Sequence, residues 1–262
     1  MLFRKLLFIL LLASGCATKN SRCFNDATLA AESKRLQGSW VSTSYLDTLT
    51  LYRSWVYANS SQERFPELIF NFQSPLRDTL LNWWNYSPVL SEIRSNVIAS
   101  CVNDTLQWRW YDSRLTSEER WWLQRLDNGF LLLSDSRKEY SYQQISDSVC
   151  YRDKYVMSPK EVAINQLLLE GQWTDQSDTI ILTESGGVAD WKNWKYYYTN
   201  SEEIDADEPD VITVYNSYEA KSYVVTFENE TMNWYDYLPP DQLGSWTRGP
   251  LVRSWRKVHA VQ

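Results

Sequence analysis

Apolar and polar residues alternate in short runs along most of this chain, with turn residues between the runs. A period of two is the mark of antiparallel strands that bury one face. In the second half it predicts strands over Gly171 to Ser177, Thr179 to Glu184, Val188 to Thr199, Asp210 to Tyr218, Ser222 to Glu228, Thr231 to Tyr237, Ser245 to Arg248 and Leu251 to Val258. The separators are turn chemistry: Ser185-Gly186-Gly187, an acidic loop ending in Pro209, Asn229-Glu230, Pro239-Pro240 and Gly249-Pro250. About eight strands without an intervening helix suit closure into a barrel.

The first half predicts a similar set: Gly38 to Leu46, Thr48 to Tyr57, Glu67 to Gln73, Thr79 to Tyr86, Ile93 to Ser100, Thr105 to Asp112, Arg120 to Asp127 and Phe130 to Ser134. Asp127-Asn128-Gly129 is a tight-hairpin signal, because Asn-Gly tolerates positive φ. Tyr140 to Ile145 either extends this barrel or leads into the linker, and Ser87 to Arg94 has room for a helical turn.

Two stretches break the period-two pattern. Asp26 can cap a helix through about Arg35, anchored by Leu29 and Leu36. Ser158-Pro159-Lys160-Glu161 is a capping box with proline at the first helical position and glutamate able to reach back, and it opens a helix to about Leu169. Each helix leads directly into Leu-x-Gly-x-Trp: Leu36 to Trp40, then Leu169 to Trp173.

A second internal match follows in the same order. Asn103-Asp104-Thr105-Leu106-Gln107-Trp108 parallels Asn229-Glu230-Thr231-Met232-Asn233-Trp234, after the alternating runs SNVIAS and SYVVTF. Two landmarks in one order predict a duplicated unit, with spacing altered by loop-length drift.

The N-terminal residues read as an address. Arg4 and Lys5 form a basic region, Leu6 to Leu12 an apolar core too short to cross a bilayer, and Ala13-Ser14-Gly15 a small-residue cleavage site. Cys16 directly after them resembles the lipobox of bacterial lipoproteins, whose cysteine is lipidated. Ala17 in place of Asp implies, by lipoprotein sorting rules, an outer-membrane location facing the periplasm. Cys23, Cys101 and Cys150 then remain for an oxidising compartment, permitting one bridge with one thiol left over.

Composition narrows the partners. The 44% hydrophobic content supports real cores, and 14 Trp with 17 Tyr favour pleated strands. Formal charge is -7, and loss of Arg4 and Lys5 with a signal peptide would take it to -9. So acidic a body lacks the cationic footprint that nucleic acid requires.

Helix, then Leu-x-Gly-x-Trp, then about eight antiparallel strands resembles the lipocalin-like domains of bacterial envelope lipoproteins. The resemblance spans Asp26 to about Ser148 and Ser158 to Val258. It implies an all-β fold of two tandem small antiparallel barrels, each preceded by a short helix. The expected layout is a signal peptide over 1-15, a tether over 16-25, one domain over 26-148, a linker over 149-157 and a second domain over 158-262. By the same resemblance Gly38, Trp40, Gly171 and Trp173 are structural residues of the barrel floors, and a late-strand cation, Arg253 or Arg256 in the second copy, would lie over the floor tryptophan.

Candidate chemistry is sparse. The single histidine, His259, is the fourth residue from the end, which leaves no Ser-His-Asp or Cys-His constellation to build on. The run Ser201 to Asp210 supplies six carboxylates but lacks the glycine and terminal glutamate of an EF-hand loop, so it reads as a solvated hairpin loop. No cofactor motif or metal set is expected, and a non-enzymatic protein is.

Aromatic clusters are the better lead, and Trp108, Trp110, Trp194, Tyr196 and Trp234 are the candidate ligand-facing residues. The expected function is binding of a small apolar or amphipathic ligand in a membrane-tethered barrel. The alternatives are an envelope interaction module with filled barrels and carbohydrate binding through exposed aromatics.

Overall fold

The computed structural model describes residues 26–59, 67–71, 82–87, 90–102, 105–111, 121–126, 128–134, 138–148, 150–152, 155–201, 208–238 and 247–259. Strands dominate, and among the described residues every strand pairing is antiparallel. Cys16, Cys23 and the expected signal peptide and tether lie outside the described residues.

Helix α1 (Asp26–Leu36) leads into β1 (Gly38–Ser42). The first sheet continues through β2 (Glu67–Asn71), β3 (Asn82–Ser87), β4 (Leu90–Val102), β5 (Thr105–Tyr111), β6 (Trp121–Arg125), β7 (Leu131–Ser134) and β8 (Glu139–Ser146). Each strand pairs with the next, and β8 returns to β1 with Trp40 opposite Gln144, closing the barrel. The Asn128-Gly129 signal lies between β6 and β7, with Gly129 at φ 87.

One expectation fails here. The strand read over Thr48 to Tyr57, and the end of the one read over Gly38 to Leu46, are helical: α2 (Thr43–Tyr52) and α3 (Trp55–Asn59). Ser42 stops β1 by capping α2, its hydroxyl accepting from the Tyr45 N–H at 3.1 Å. Tyr45, Leu46 and Leu49 then fall on one buried helical stripe. Arg53, at φ 51, ends the helix with its N–H on the Leu49 carbonyl, and the Ser54 hydroxyl accepts from the Tyr57 N–H in α3. Thr-Leu-Thr-Leu-Tyr also alternates, and the strand reading followed that alternation.

A short hairpin, β9 (Tyr151–Arg152) with β10 (Tyr155–Val156), precedes α4 (Pro159–Ile164) and a π-helical turn over Asn165–Leu169. The Ser158 hydroxyl caps α4 by accepting from the Glu161 N–H at 3.1 Å. Glu161 pairs with Arg152 of β9, a partner that the capping box alone does not indicate.

The second sheet comprises β11 (Gly171–Thr174), β12 (Thr179–Leu182), β13 (Val188–Ala189), β14 (Tyr196–Thr199), β15 (Val211–Tyr215), β16 (Ala220–Glu228), β17 (Thr231–Leu238) and β18 (Thr247–Lys257). Its order is β13-β12-β11-β18-β17-β16-β15-β14. The two edges nearly meet, since Gly187 bridges Tyr196 and the Tyr197 N–H donates to the Gly186 carbonyl at 2.7 Å.

The single strand expected over Val188 to Thr199 is therefore two, reversed through Asp190 and Lys192 at positive φ, with Trp191 buried in the turn. Gly249-Pro250 does not divide β18. Proline is tolerated there because β11 covers only Arg256 and Lys257, and the β17 pairing is irregular beside it.

One apolar cluster joins the two halves of the chain. Tyr45, Leu46, Leu49, Trp55, Val56 and Ala58 from α2 and α3 share it with Trp173, Trp191, Tyr223, Trp234 and Trp255 of the second half. A helical pair inserted between the first two strands of the first sheet thus completes the core of the second.

Candidate functional site

The two Leu-x-Gly-x-Trp copies have the same local geometry. Trp40 Nε1 donates to the Leu36 carbonyl at 2.8 Å, and Trp173 Nε1 to the Leu169 carbonyl at 2.8 Å. Both indoles are fully buried, and Gly38 and Gly171 sit at φ 115 and 134, where a side chain is strained. Each motif opens its sheet and pairs with that sheet's last strand. The cation over Trp173 is Lys257, its Nζ 5.3 Å from the ring centroid. Arg253 is instead held by Asp175 and Asp178 at 2.5 and 2.8 Å.

The second sequence match is weaker than the first. Both copies make a tight connection, with Val102 opposite Thr105 and Glu228 opposite Thr231. However, β5 is followed by three more strands of its sheet and β17 by one. The match therefore reports shared hairpin chemistry at different places in the strand order.

The five aromatic candidates do not gather at one place. Trp234 is fully buried and packs on Trp191, Tyr223 and Trp255 with ring centroids 5.3, 5.0 and 5.9 Å away. Trp194 packs partly buried on the same cluster, 6.5 Å from Trp191. Tyr196 is half-buried beside Tyr215. Trp108 and Trp110 lie on β5, opposite Leu123 and Trp121, and their side chains are outside the described set. The described interior of the second sheet is thus packed with tryptophan and tyrosine.

Between α3 and the second half runs a buried polar seam. The Val56 N–H donates to Asp210 Oδ1 at 2.8 Å, Trp55 Nε1 to Asn200 Oδ1 at 2.8 Å and Asn59 Nδ2 to the Ser201 carbonyl at 2.9 Å. Glu67 of β2 accepts from the Lys160 N–H at 2.9 Å, while Lys160 Nζ reaches Asn59 and the Ser201 carbonyl.

Burial pushes the Glu67 carboxyl up against the pull of Lys160, and pushes Glu161 up against the pull of Arg152. Asp210 rises to about 6, chiefly through burial, with the Val56 N–H, the Ser54 hydroxyl and the Trp55 N–H acting the other way. Burial raises Tyr45 well above its ordinary value, and Glu67 and Asp210 add to it. The three carboxylates hold elements together, each answered by a backbone or side-chain partner from another element.

Asp210 also forms part of the floor of an open groove of about 750 Å³ between the α2–α3 corner and β16. On one wall, Tyr52 and Tyr57 pack with centroids 4.2 Å apart while remaining 53% and 51% exposed. In the same lining, the Arg53 guanidinium covers Phe227 at 4.9 Å and donates to the Asn229 carbonyl. Arg248 and Glu208 complete the rim, and the Thr226 hydroxyl oxygen is buried in the lining without a hydrogen-bond partner among the described residues.

A second concavity of about 680 Å³ lies along β18, but its central arginine, Arg253, is already committed to two aspartates. Asp175 there sits at about 2: burial raises it, and the Ser177 and Asp178 N–H groups together with Arg253 outweigh that.

Sequence reasoning missed the groove because it read the α2–α3 corner as a strand. The usable signal was Ser42 placed three residues before Tyr45, with Leu46 and Leu49 continuing a helical stripe. Comparison with known proteins returns no matching family model, no matching curated protein and no matching solved structure.

Proposed function

We propose that the chain is a lipid-anchored protein of the bacterial envelope, built from two lipocalin-like units and binding a small amphipathic ligand without catalysis. The lipobox-like run ending at Cys16 supports the anchor, and the residue after it supports an outer-membrane location facing the periplasm. The shared geometry of Trp40 and Trp173 supports descent of both units from one design.

The single observation that carries the binding reading is the groove at the α2–α3 corner. Its volume falls within the range of small-ligand sites, and it combines exposed rings with charged groups. The described interior of the second sheet is occupied by Trp173, Trp191, Trp234 and Trp255, so that sheet acts as scaffold.

The test is native mass spectrometry of the full chain released gently from envelopes, alongside Tyr57→Ala. A copurifying small molecule that the variant loses supports the reading, and a parent that is always ligand-free, with no uptake from envelope extracts, defeats it. Replacing Cys16 with Ser should release the protein from the membrane fraction, and unchanged partitioning would remove the anchor.

Leu51, 73% exposed at the end of α2, favours a second reading in which the same corner docks an envelope protein. Crosslinking through that residue to one recurrent partner would support it.

A further inference from the structure

We infer that the groove at the α2–α3 corner takes a neutral saccharide. The inference rests on the binding reading above and adds the chemical class of the ligand.

Three classes suit a groove with aromatic walls, and its lining separates them. An acyl chain gains most from an enclosed apolar tunnel. This groove is open, and it places Arg248 and Glu208 where a hydrocarbon would strip their water without replacing it. An anionic ligand would meet Arg53 and Arg248 favourably, but Arg53 is already engaged with Phe227 and the Asn229 carbonyl, and Glu208 and a formal charge of -7 on the chain oppose it. A neutral polyhydroxylated ring avoids both penalties.

The walls match the two sides of such a ring. Tyrosine faces carry the negative part of the aromatic quadrupole and attract the slightly positive C–H groups of a sugar's apolar face. Tyr52 and Tyr57 are each about half exposed at the groove edge, and their mutual packing fixes their orientation. The hydroxyls of a sugar require both donors and acceptors. Arg248 donates, Glu208 accepts, and the Thr226 hydroxyl, buried and without a partner among the described residues, can do either.

The platform is also preorganised. Arg53 is fixed in the αL conformation between α2 and α3, with its guanidinium over Phe227 and on the Asn229 carbonyl. Asp210 holds the start of α3 through the Val56 N–H. The rings therefore keep their places before a ligand arrives, which lowers the ordering cost of a weak contact.

The experiment applies the full chain to an array of neutral and acidic glycans, with a fluorescent eighteen-carbon fatty acid titrated in parallel. Binding to the best neutral oligosaccharide is then measured by calorimetry for the parent, Tyr57→Ala and Arg248→Gln. The expected result is binding that falls about fivefold to tenfold in each variant, the range that loss of one aromatic contact or one hydrogen bond gives, with unchanged melting. The two changes lie on different elements, so a folding defect in one leaves the other decisive.

Glycan binding that neither variant weakens would move the site elsewhere and overturn the inference. Fatty-acid binding sensitive to Tyr57→Ala, without glycan binding, would overturn the saccharide class and leave the groove as a ligand site. Binding of neither probe would overturn both.

Discussion

The indole nitrogen of Trp173 donates to the carbonyl oxygen of Leu169, four residues earlier, at 2.8 Å. This bond satisfies a carbonyl that the end of the helical segment would otherwise leave unpaired, and it fixes the angle at which the chain enters β11. Phenylalanine in place of Trp173 keeps most of the apolar volume and loses the donor. We expect a stability loss of about 1–3 kcal/mol in denaturant unfolding, and Trp40→Phe should behave alike. A loss within measurement error would mean that the indole matters only as bulk.

The two glycines of the motif separate backbone strain from steric clash. Both have positive φ, but a methyl group on Gly38 would overlap the Ser146 carbonyl, whereas one on Gly171 meets the flexible end of Lys257. Gly38→Ala is expected to destabilise clearly more than Gly171→Ala in parallel thermal melts. The reverse order would contradict this account.

The α2–α3 insertion makes the second sheet depend on residues from the first half. Trp55 is fully buried in the shared core and donates to Asn200. Trp55→Ala should cost about 3–5 kcal/mol and loosen the second sheet, read by hydrogen exchange in β15 and β16. A fragment beginning at Ser158 should fail to give a cooperative melt, and a normal melt would show that the insertion is dispensable.

Asp210 has its carboxyl raised to about 6 by burial. Its folded-state value lies above the unfolded one, so the folded state holds the proton more tightly. Its contribution to stability is complete below about pH 4 and is lost as pH rises through about 6, a change of roughly 3 kcal/mol. The raised Glu67 and Glu161 act in the same direction. Asp210→Asn keeps an acceptor for the Val56 N–H without the charge. It is expected to melt above the parent at pH 7.5, with the gap closing toward pH 4.5. Parallel pH profiles of parent and variant would refute this.

Tyr45 is fully buried, and its hydroxyl has no hydrogen-bond partner among the described residues, close to the electrostatic influence of Glu67 and Asp210. Tyr45→Phe removes a desolvated polar atom while leaving the ring packed. It should leave stability unchanged or raise it by up to about 1–2 kcal/mol. A marked loss on chemical denaturation would point to a partner for that oxygen.

Legibility in the sequence followed the range of the forces involved. The Ser158 cap, the Asn128-Gly129 turn and the glycine and tryptophan of each Leu-x-Gly-x-Trp were readable because each depends on groups within about four residues. Strand positions were readable where alternation met a plain turn, as at Asn229-Glu230. The candidate site was almost wholly hidden. Tyr52, Arg53 and Tyr57 occupied a run read as a strand, and Asp210 and Arg248 stood at the ends of two others. The aromatics that did attract attention, Trp194 and Trp234, serve the core.

By itself, then, the sequence determined the mostly β character of this protein, its caps, its tight turns and the paired helix-to-strand corners, because rotamers, backbone φ and neighbouring hydrogen bonds are set within a few residues. The tertiary structure decided between the strand and helix readings of α2 and α3, since Tyr45, Leu49 and Trp55 find their burial against the second sheet. It also decided strand order, near-closure through Gly187 and Tyr196, and the groove. The groove depends on contacts more than a hundred residues apart, such as Trp55 with Asn200, whose energy no local pattern encodes.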